Sequence, residues 1–274
     1  MQGIAALLAL IVSLAAAQAG VGAAEPSAGA AVSSPLAALK GATIAVDPGH
    51  NGGNAAHPSV INKLVPAGGF RKECDTTGTA TRDEALTEPA FTWDVAKRLK
   101  KLLEASGAKV VLTRKNNTGV GPCINKRAQI GNHAGADVAI SIHGDGGPTS
   151  GRGFHVIRPG LIRGYTDEIV RPSYALALDV RAALDGAGLK RADYIATRGL
   201  DRRTDLGGLN LSKVPKVLTE LGNMQNSVDA RHMKSAKWRE HVARALRAGL
   251  AQYLADASRD SQKKERRPEG RRSH

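Results

Sequence analysis

Two histidines each follow a short apolar run of the chain. His50 ends the stretch "TIAVDPGH", and His143 ends the stretch "VAISIH". Such runs predict buried β-strands, and α/β proteins place binding and catalytic side chains at the carboxyl ends of their strands. Two neutral imidazoles on neighbouring strand ends suit a borderline-soft divalent metal ion. The pair is therefore a candidate metal site. A general base, or a purely structural histidine, is the alternative for each residue.

Two acidic residues occupy comparable positions. Glu220 ends a third apolar run, "VPKVLTE", and a carboxylate beside a metal cleft is a candidate acid or base. Asp47 precedes the Pro48-Gly49 turn, where it is placed to orient a ligand histidine. The alternatives are a salt-bridged core carboxylate for Glu220 and a turn former for Asp47. Common phosphate-loop, His-Glu-x-x-His and Gly-x-Ser-x-Gly motifs are absent from the sequence, so the site has to be assembled from separate strand ends.

The elements that carry these residues alternate between strand-like and helical patterns. Alternation of this kind predicts a single α/β domain at residues 36–257, with a largely parallel twisted sheet flanked by helices. The strand-like runs are 43–46, 109–113, 138–142, 154–157 and 216–218, and the helical patterns are 91–103, 124–134, 167–187 and 231–255.

Four separated segments carry a family resemblance. They are "IAVDPGHNGG", "EPAFTWDVAKRLKKLLEASGAKVVLTR", "KRAQIGNHAGADVAISIHGD" and "VPKVLTELGNMQN". In order and spacing they resemble the zinc-dependent N-acetylmuramoyl-L-alanine amidases of the type 3 family, over about residues 40–255. The resemblance implies that His50, Glu88 and His143 bind Zn2+ and that Glu220 is catalytic.

Glu73 and Glu84 are rival carboxylates for the metal, because they lie in the same region of the chain as Glu88. Only Glu88 holds the family's position ahead of the run 92–96. The alternative is that Glu88 has no functional role and begins a helix, where its negative charge interacts favourably with the helix dipole.

The implied reaction is hydrolysis of the amide between N-acetylmuramic acid and the L-alanine of the peptidoglycan stem peptide, in cell-wall remodelling. A His₂Glu set leaves a fourth position for water, as a catalytic zinc requires. Glu220 would take the proton of that water and pass it to the leaving amine. Two alternatives stay open: a catalytically inactive module that binds peptidoglycan, and a metal hydrolase that cuts a different cell-wall bond.

Cys74 and Cys123 are the only two cysteines. An even pair in an exported protein predicts a disulfide, with two unpaired thiols as the alternative. Such a bridge would pin the long polar segment 52–86, which has no strong hydrophobic period, to the chain around Cys123.

Both ends of the chain differ in composition from the predicted domain. Residues 1–24 are uncharged and largely apolar and predict a secretory signal peptide, followed by a small-residue linker at 25–35; a membrane anchor is the alternative. We expect secretion to the periplasm or cell wall, with no stable membrane span after signal removal. The basic segment 258–274 predicts a disordered tail, either a plain solvated terminus or a tether to the wall.

Charge and loop length bear on the partners. The chain has 39 basic and 25 acidic residues, a net charge of +14, which favours an anionic partner such as the cell envelope and its peptidoglycan or muropeptide fragments. Aromatic residues are only 3% of the sequence, so no stacking platform for specific nucleic-acid binding is expected. The segment "GDGGPTSGRG" after His143 is too short for the blocking helix that some family members carry, so we expect no activator protein. We also expect a monomer.

Overall fold

The structure is a computed structural model that describes residues 34–265. The predicted signal peptide, most of the predicted linker and the end of the basic tail lie outside the described residues. The last helix, Ala236–Glu265, continues past the predicted domain boundary at 257. Residues 258–265 are therefore helical, where the sequence predicted disorder. Among the described residues no helix combines the length and the apolar character that crossing a membrane requires.

A six-stranded sheet forms the centre of the domain, and a two-stranded hairpin lies apart from it. The central strands are β1 (Thr43–Pro48), β4 (Lys109–Leu112), β5 (Val138–Asp145), β6 (His155–Pro159), β7 (Leu200–Arg203) and β8 (Lys216–Asn223); the hairpin strands are β2 (Leu64–Pro66) and β3 (Arg71–Glu73).

The strand order is β4-β1-β5-β8-β6-β7. Every neighbouring pair is parallel except β6 and β8, which are antiparallel. This confirms the predicted single α/β domain with a largely parallel sheet. Because β1, β5 and β8 are adjacent and parallel, the three apolar runs deliver their polar ends to one edge of the sheet.

Helices cover both faces of the sheet. The α-helices are α1 (Pro58–Ile61), α2 (Glu88–Glu104), α3 (Ile124–His133), α4 (Val170–Gly186), α5 (Gly207–Asn210), α6 (Ser227–Lys234) and α7 (Ala236–Glu265). One face carries the main core, where side chains of β1, β5 and β8 pack against α2 and α4, and α7 packs against those two helices. On the opposite face small residues such as Ala45 and Ala139 let α3 approach closely. The alternation of side chains along each strand produces this division.

Several elements differ from the sequence expectation, among them the short helices α1 and α5, which were not predicted. The sequence does not predict β7, because "LDRR" contains no apolar run. β7 is an edge strand, and an edge strand does not need such a run. The hairpin of β2 and β3 lies within the segment expected to be one long loop. The pattern at 231–255 is two helices, because Ser235 adopts an extended backbone (φ −77°, ψ 119°) that ends α6.

Candidate metal centre

Three predicted ligands meet at the carboxyl edge of the sheet. His50 follows β1, His143 lies in β5, and Glu88 is the first residue of α2. Their potential ligand atoms all lie within 4.8 Å of one another. The two strands and the helix thus bring together side chains that are 38 and 55 positions apart in the sequence, as the family resemblance implied.

Glu88 lies between the two imidazoles. Its Oε1 is 3.3 Å from Nε2 of His50 and 2.9 Å from Nδ1 of His143. Ligand atoms about 2.1 Å from a tetrahedral zinc ion lie about 3.4 Å from one another. Two nitrogens and one carboxylate oxygen at these separations therefore fit such an ion. The other carboxylate oxygen, Oε2, accepts a hydrogen bond of 3.0 Å from the backbone N–H of Thr79, which fixes its orientation.

The electrostatics of the centre favour positive charge. Burial lowers the pKa of His50, but the negative charge of Glu88 and the hydrogen bond that His50 donates to Asp75 outweigh burial and raise that pKa to about 10. In Glu88 burial acts to raise the pKa, and the charge of His50 and hydrogen bonds from both histidines more than reverse it, so the pKa lies well below its usual range. A cluster that stabilises a cation in this way suits a divalent metal.

The backbone packs tightly against the side chains of the candidate ligands. His50 has φ +56°, a left-handed conformation that costs a non-glycine residue free energy and has to be held by its surroundings. A Cβ atom on Gly49 would collide with the imidazole of His143. At Gly78 (φ +74°) a Cβ would lie 2.8 Å from Oε2 of Glu88 and 2.9 Å from the His50 ring. Two glycines therefore let the loops close over the ligands.

Asp75 contacts the ring of His50, whereas the sequence predicts Asp47 as the candidate for this position. Nδ1 of His50 lies 3.1 Å from Oδ1 of Asp75 and 3.2 Å from the carbonyl oxygen of Thr76, so Nε2 is the nitrogen turned towards Glu88. The other Asp75 oxygen accepts a hydrogen bond of 3.0 Å from Arg127. A carboxylate behind a ligand histidine fixes its tautomer and ring orientation.

Asp47 instead belongs to a buried polar network beneath the centre, and it makes no hydrogen bond to either histidine within residues 34–265. Its carboxylate accepts hydrogen bonds from Thr113, Arg127, Ser141 and Lys216. Burial acts to raise the pKa of Asp47, but the charges of Lys216 and Arg127 outweigh it, so the pKa lies well below its usual range. Asp47 is therefore a structural anion, which its position before the Pro48-Gly49 turn did not reveal.

Glu220 lies directly beside the cluster. It is paired in register with His143 across β5 and β8. Its Oε2 is buried and has no hydrogen-bond partner among the described residues. Burial raises the pKa of Glu220 well above its usual range, and the negative charges of Glu88 and Asp145 raise it further. A carboxyl with a buried, unpartnered oxygen and a raised pKa is suited to accept a proton and deliver it.

A cavity of about 370 Å³ opens onto these residues. His50, Glu88, His143 and Glu220 all line it, and it extends along the sheet to an apolar wall. The aliphatic residues of this wall are Ile124, Ile157, Leu206, Leu209 and Leu218. The cavity therefore combines a metal-type cluster, an acid or base and room for a substrate.

The rival carboxylates do not join the cluster. Glu73, in β3, lines the cavity but contributes no atom to the group of three ligands. Glu84 is exposed in a turn with φ +55°. The position of Glu88 at the start of a helix, rather than proximity in sequence, decides which carboxylate reaches the histidines.

The disulfide between Cys74 and Cys123 is present, as predicted, with Cα atoms 4.2 Å apart. It joins the residue before Asp75 to the residue before α3, which carries Arg127. The covalent link thus holds together the two segments whose side chains form the Asp75–Arg127 ion pair, at 3.0 Å.

Comparison with known proteins agrees with this geometry. Residues 44–252 match the Amidase_3 family, described as N-acetylmuramoyl-L-alanine amidase. The chain belongs to this family. An N-acetylmuramoyl-L-alanine amidase of Mycobacterium tuberculosis is 40% identical over 229 residues, which cover 81% of this chain and 90% of that relative.

Solved structures of N-acetylmuramyl-L-alanine amidases share the fold. The amidase Ami1 of Mycobacterium smegmatis matches with a TM-score of 0.75 and 40% identity, over 80% of this chain and 99% of that chain. Ami1 of Mycobacterium abscessus matches with a TM-score of 0.74 and 42% identity, over 78% and 99%. The chain is thus an enzyme of the N-acetylmuramoyl-L-alanine amidase class with a candidate His-Glu-His metal site.

Proposed function

We propose that this amidase uses Zn2+ to hydrolyse the amide between the lactyl group of N-acetylmuramic acid and the L-alanine of the peptidoglycan stem peptide. The observation that carries the proposal is the unpartnered Oε2 of Glu220 beside the converging His50, Glu88 and His143 atoms. One cavity thus holds both a metal-type ligand set and a free proton acceptor, which is the requirement of metal-assisted amide hydrolysis.

His50, Glu88 and His143 would hold the zinc through Nε2, a carboxylate oxygen and Nδ1, the atoms that face one another. When bound, zinc would supply a water of lowered pKa and a Lewis acid for the carbonyl of the scissile amide. Asp75 fixes the His50 ring, and the backbone N–H groups of Thr79 and Gly144 fix the Glu88 carboxylate, at 3.0 and 3.2 Å. The ligand set is therefore ordered by the chain itself.

Glu220 would move the proton. Its Oε2 accepts a proton from the attacking water and delivers it to the nitrogen of the leaving L-alanine. Because Oε2 is buried, exchange of the proton with bulk water between the two steps is limited. Asp145, on the adjoining strand β5, adds a negative charge near Glu220. Its Oδ2 accepts a hydrogen bond of 2.8 Å from the hydroxyl of Tyr194.

We propose that the site works without an activator protein. Support comes from the segment between β5 and β6, residues 146–154, which contains no helix that could fill the cavity. Monomeric action is part of the same proposal. Its support is that only eight large apolar side chains of residues 34–265 are exposed, none of them by more than 52%.

We place the enzyme outside the membrane, in the periplasm or cell wall, after removal of residues 1–24. The substrate class requires this location, and the disulfide suits an oxidising compartment. The net charge of +14 would hold the enzyme on the anionic envelope.

Mass spectrometry of reaction products tests the bond. The zinc-loaded protein is incubated with a muramoyl-pentapeptide fragment, in parallel with protein stripped by a chelator. We expect a peptide with a free L-alanine amino terminus, and the muramic acid carboxylate, only with zinc. Cleavage at another amide or at a glycosidic bond would contradict the proposal. An intact substrate despite bound zinc would favour a peptidoglycan-binding module.

A further inference from the structure

Four cationic side chains line the cavity, and they fall into two pairs. Arg127 and Lys216 are buried and bound to the carboxylates of the network beneath the metal centre. Lys72, from β3, and Arg203, from the end of β7, are each 35% exposed and lie on the side of the cavity reached from solvent. We call Lys72 and Arg203 the rim cations. The buried pair is committed to the fold, so only the rim cations are available to a ligand.

Asp205 holds the rim cations in place. Its carboxylate accepts hydrogen bonds from Nε of Arg203 at 2.8 Å and from Nη2 at 2.5 Å. Nζ of Lys72 donates to the Asp205 carbonyl oxygen at 3.1 Å and lies 4.0 Å from its carboxylate. One carboxylate therefore orients two cations, and Nη1 of Arg203 keeps no hydrogen-bond partner among the described residues. Glu73 lies on the same rim. Within residues 34–265 it forms no ion pair with Lys72 or Arg203.

The rim cations lie near the reacting groups. Lys72 and Arg203 line the same cavity as Glu220 and the candidate metal ligands, so a ligand in that cavity reaches both the rim cations and the proton acceptor. A muramoyl-peptide is neutral on its glycan side. On its peptide side, the second residue is a glutamate joined through its side chain, so a carboxylate follows closely after the scissile bond unless it is amidated. A guanidinium with free N–H groups suits that carboxylate.

We propose that Arg203, supported by Lys72, forms a subsite for the carboxylate of the second stem residue. The inference rests on the proposed function and adds a substrate preference to it. The enzyme favours stem peptides with the free acid over those with the amide, because an amide offers no charge to the guanidinium. The subsite also fixes the direction of the substrate, with the glycan on the side of the cavity away from β7.

The test compares two muramoyl-dipeptides that differ only at this group, N-acetylmuramoyl-L-alanyl-D-isoglutamate and N-acetylmuramoyl-L-alanyl-D-isoglutamine. The zinc-loaded protein should show kcat/KM roughly 10-fold higher for the acid, mainly through KM, since a charged hydrogen bond at a half-exposed site is of this size. Arg203→Gln should remove the preference, because it lowers kcat/KM for the acid and leaves kcat/KM for the amide unchanged. Arg203→Lys should keep part of the preference. Arg202→Gln changes the exposed neighbour on the same strand and should keep the preference.

Equal kcat/KM for the two substrates in the wild type would overturn the subsite while leaving the amidase intact. An equal fall in kcat/KM for both substrates in Arg203→Gln would also overturn the subsite, because a purely structural role of Arg203 predicts that pattern. If the wild type with bound zinc cleaves neither dipeptide nor longer fragments, the proposed function itself fails and the subsite falls with it.

Discussion

Replacing Asp75 tests whether its carboxylate orients His50, one of the three candidate metal ligands. The Asp75 carboxylate contacts His50 at 3.1 Å and Arg127 at 3.0 Å, and all three side chains are at least 87% buried. Asp75→Asn keeps an acceptor for His50 but removes the charge, whereas Asp75→Ala removes both. Changes to the partner of a metal-bound histidine typically cost 10-fold to 100-fold in metal affinity. We expect zinc affinity to fall about 10-fold in the asparagine variant and about 100-fold in the alanine variant.

The fold should survive either change. Arg127 keeps its ion pair with Asp47 at 3.1 Å, and it still donates to the carbonyl oxygens of Pro48 and His50 at 2.7 and 2.8 Å. Loss of one partner of several then costs about 1–3 kcal/mol of the free energy of unfolding, less than removal of a sole partner.

Competition with a fluorescent zinc chelator measures the affinity, and circular dichroism checks the fold. The control is Asp260→Asn, which changes an exposed carboxylate on α7 and should bind zinc like the wild type. Zinc affinities of both Asp75 variants within a factor of two of the wild type would refute the reasoning, because His50 would then need no fixed partner.

Three further predictions concern stability and packing. Replacing both Cys74 and Cys123 by serine opens a loop with a sequence separation of 49 and should lower the free energy of unfolding by about 4 kcal/mol in the chain-entropy model; an unchanged denaturant midpoint would contradict this. Burial and the charge of Asp256 raise the pKa of Asp179 to about 6, above the unfolded value of 3.8, so ionisation in the folded state costs stability as the pH rises. Asp179→Asn should therefore be more stable than the wild type by about 1 kcal/mol at pH 7.5, after allowance for solvent screening, and equal to it below pH 4; a gain at both pH values in thermal melts would speak against titration as the cause. Gly49→Ala places a methyl group against the His143 ring and should abolish stoichiometric zinc binding, whereas Gly186→Ala, which has open space, should not; normal zinc content in Gly49→Ala would show that the loop can yield.

The sequence was sufficient for the parts of the site that lie on regular elements. His50, His143 and Glu220 end apolar runs, and parallel strands bring such ends together. Family resemblance added Glu88, whose spacing from the histidines predicts nothing by itself. Composition alone was enough for the disulfide, because the chain has only two cysteines.

The partners of the ligands could not be predicted in the same way, because they depend on loops. Asp47 and Asp75 are both acidic and close to a turn, and only the path of segment 52–86 decides which one reaches His50. One signal was available: Asp75 follows Cys74, and Arg127 lies one helical turn after Cys123, so a disulfide predicts that these charges meet. β7 and its Arg203 gave no signal, since an edge strand needs no apolar run.

The proposed role of Glu220 in proton transfer is tested most directly by one experiment on two proteins. Zinc content and stem-peptide release are measured together for the wild type and for Glu220→Gln, which keeps the size of the side chain and removes its basicity. We predict one zinc ion per chain in both proteins and free peptide beginning at L-alanine with the wild type alone. Comparable peptide release by the zinc-loaded variant would contradict the account.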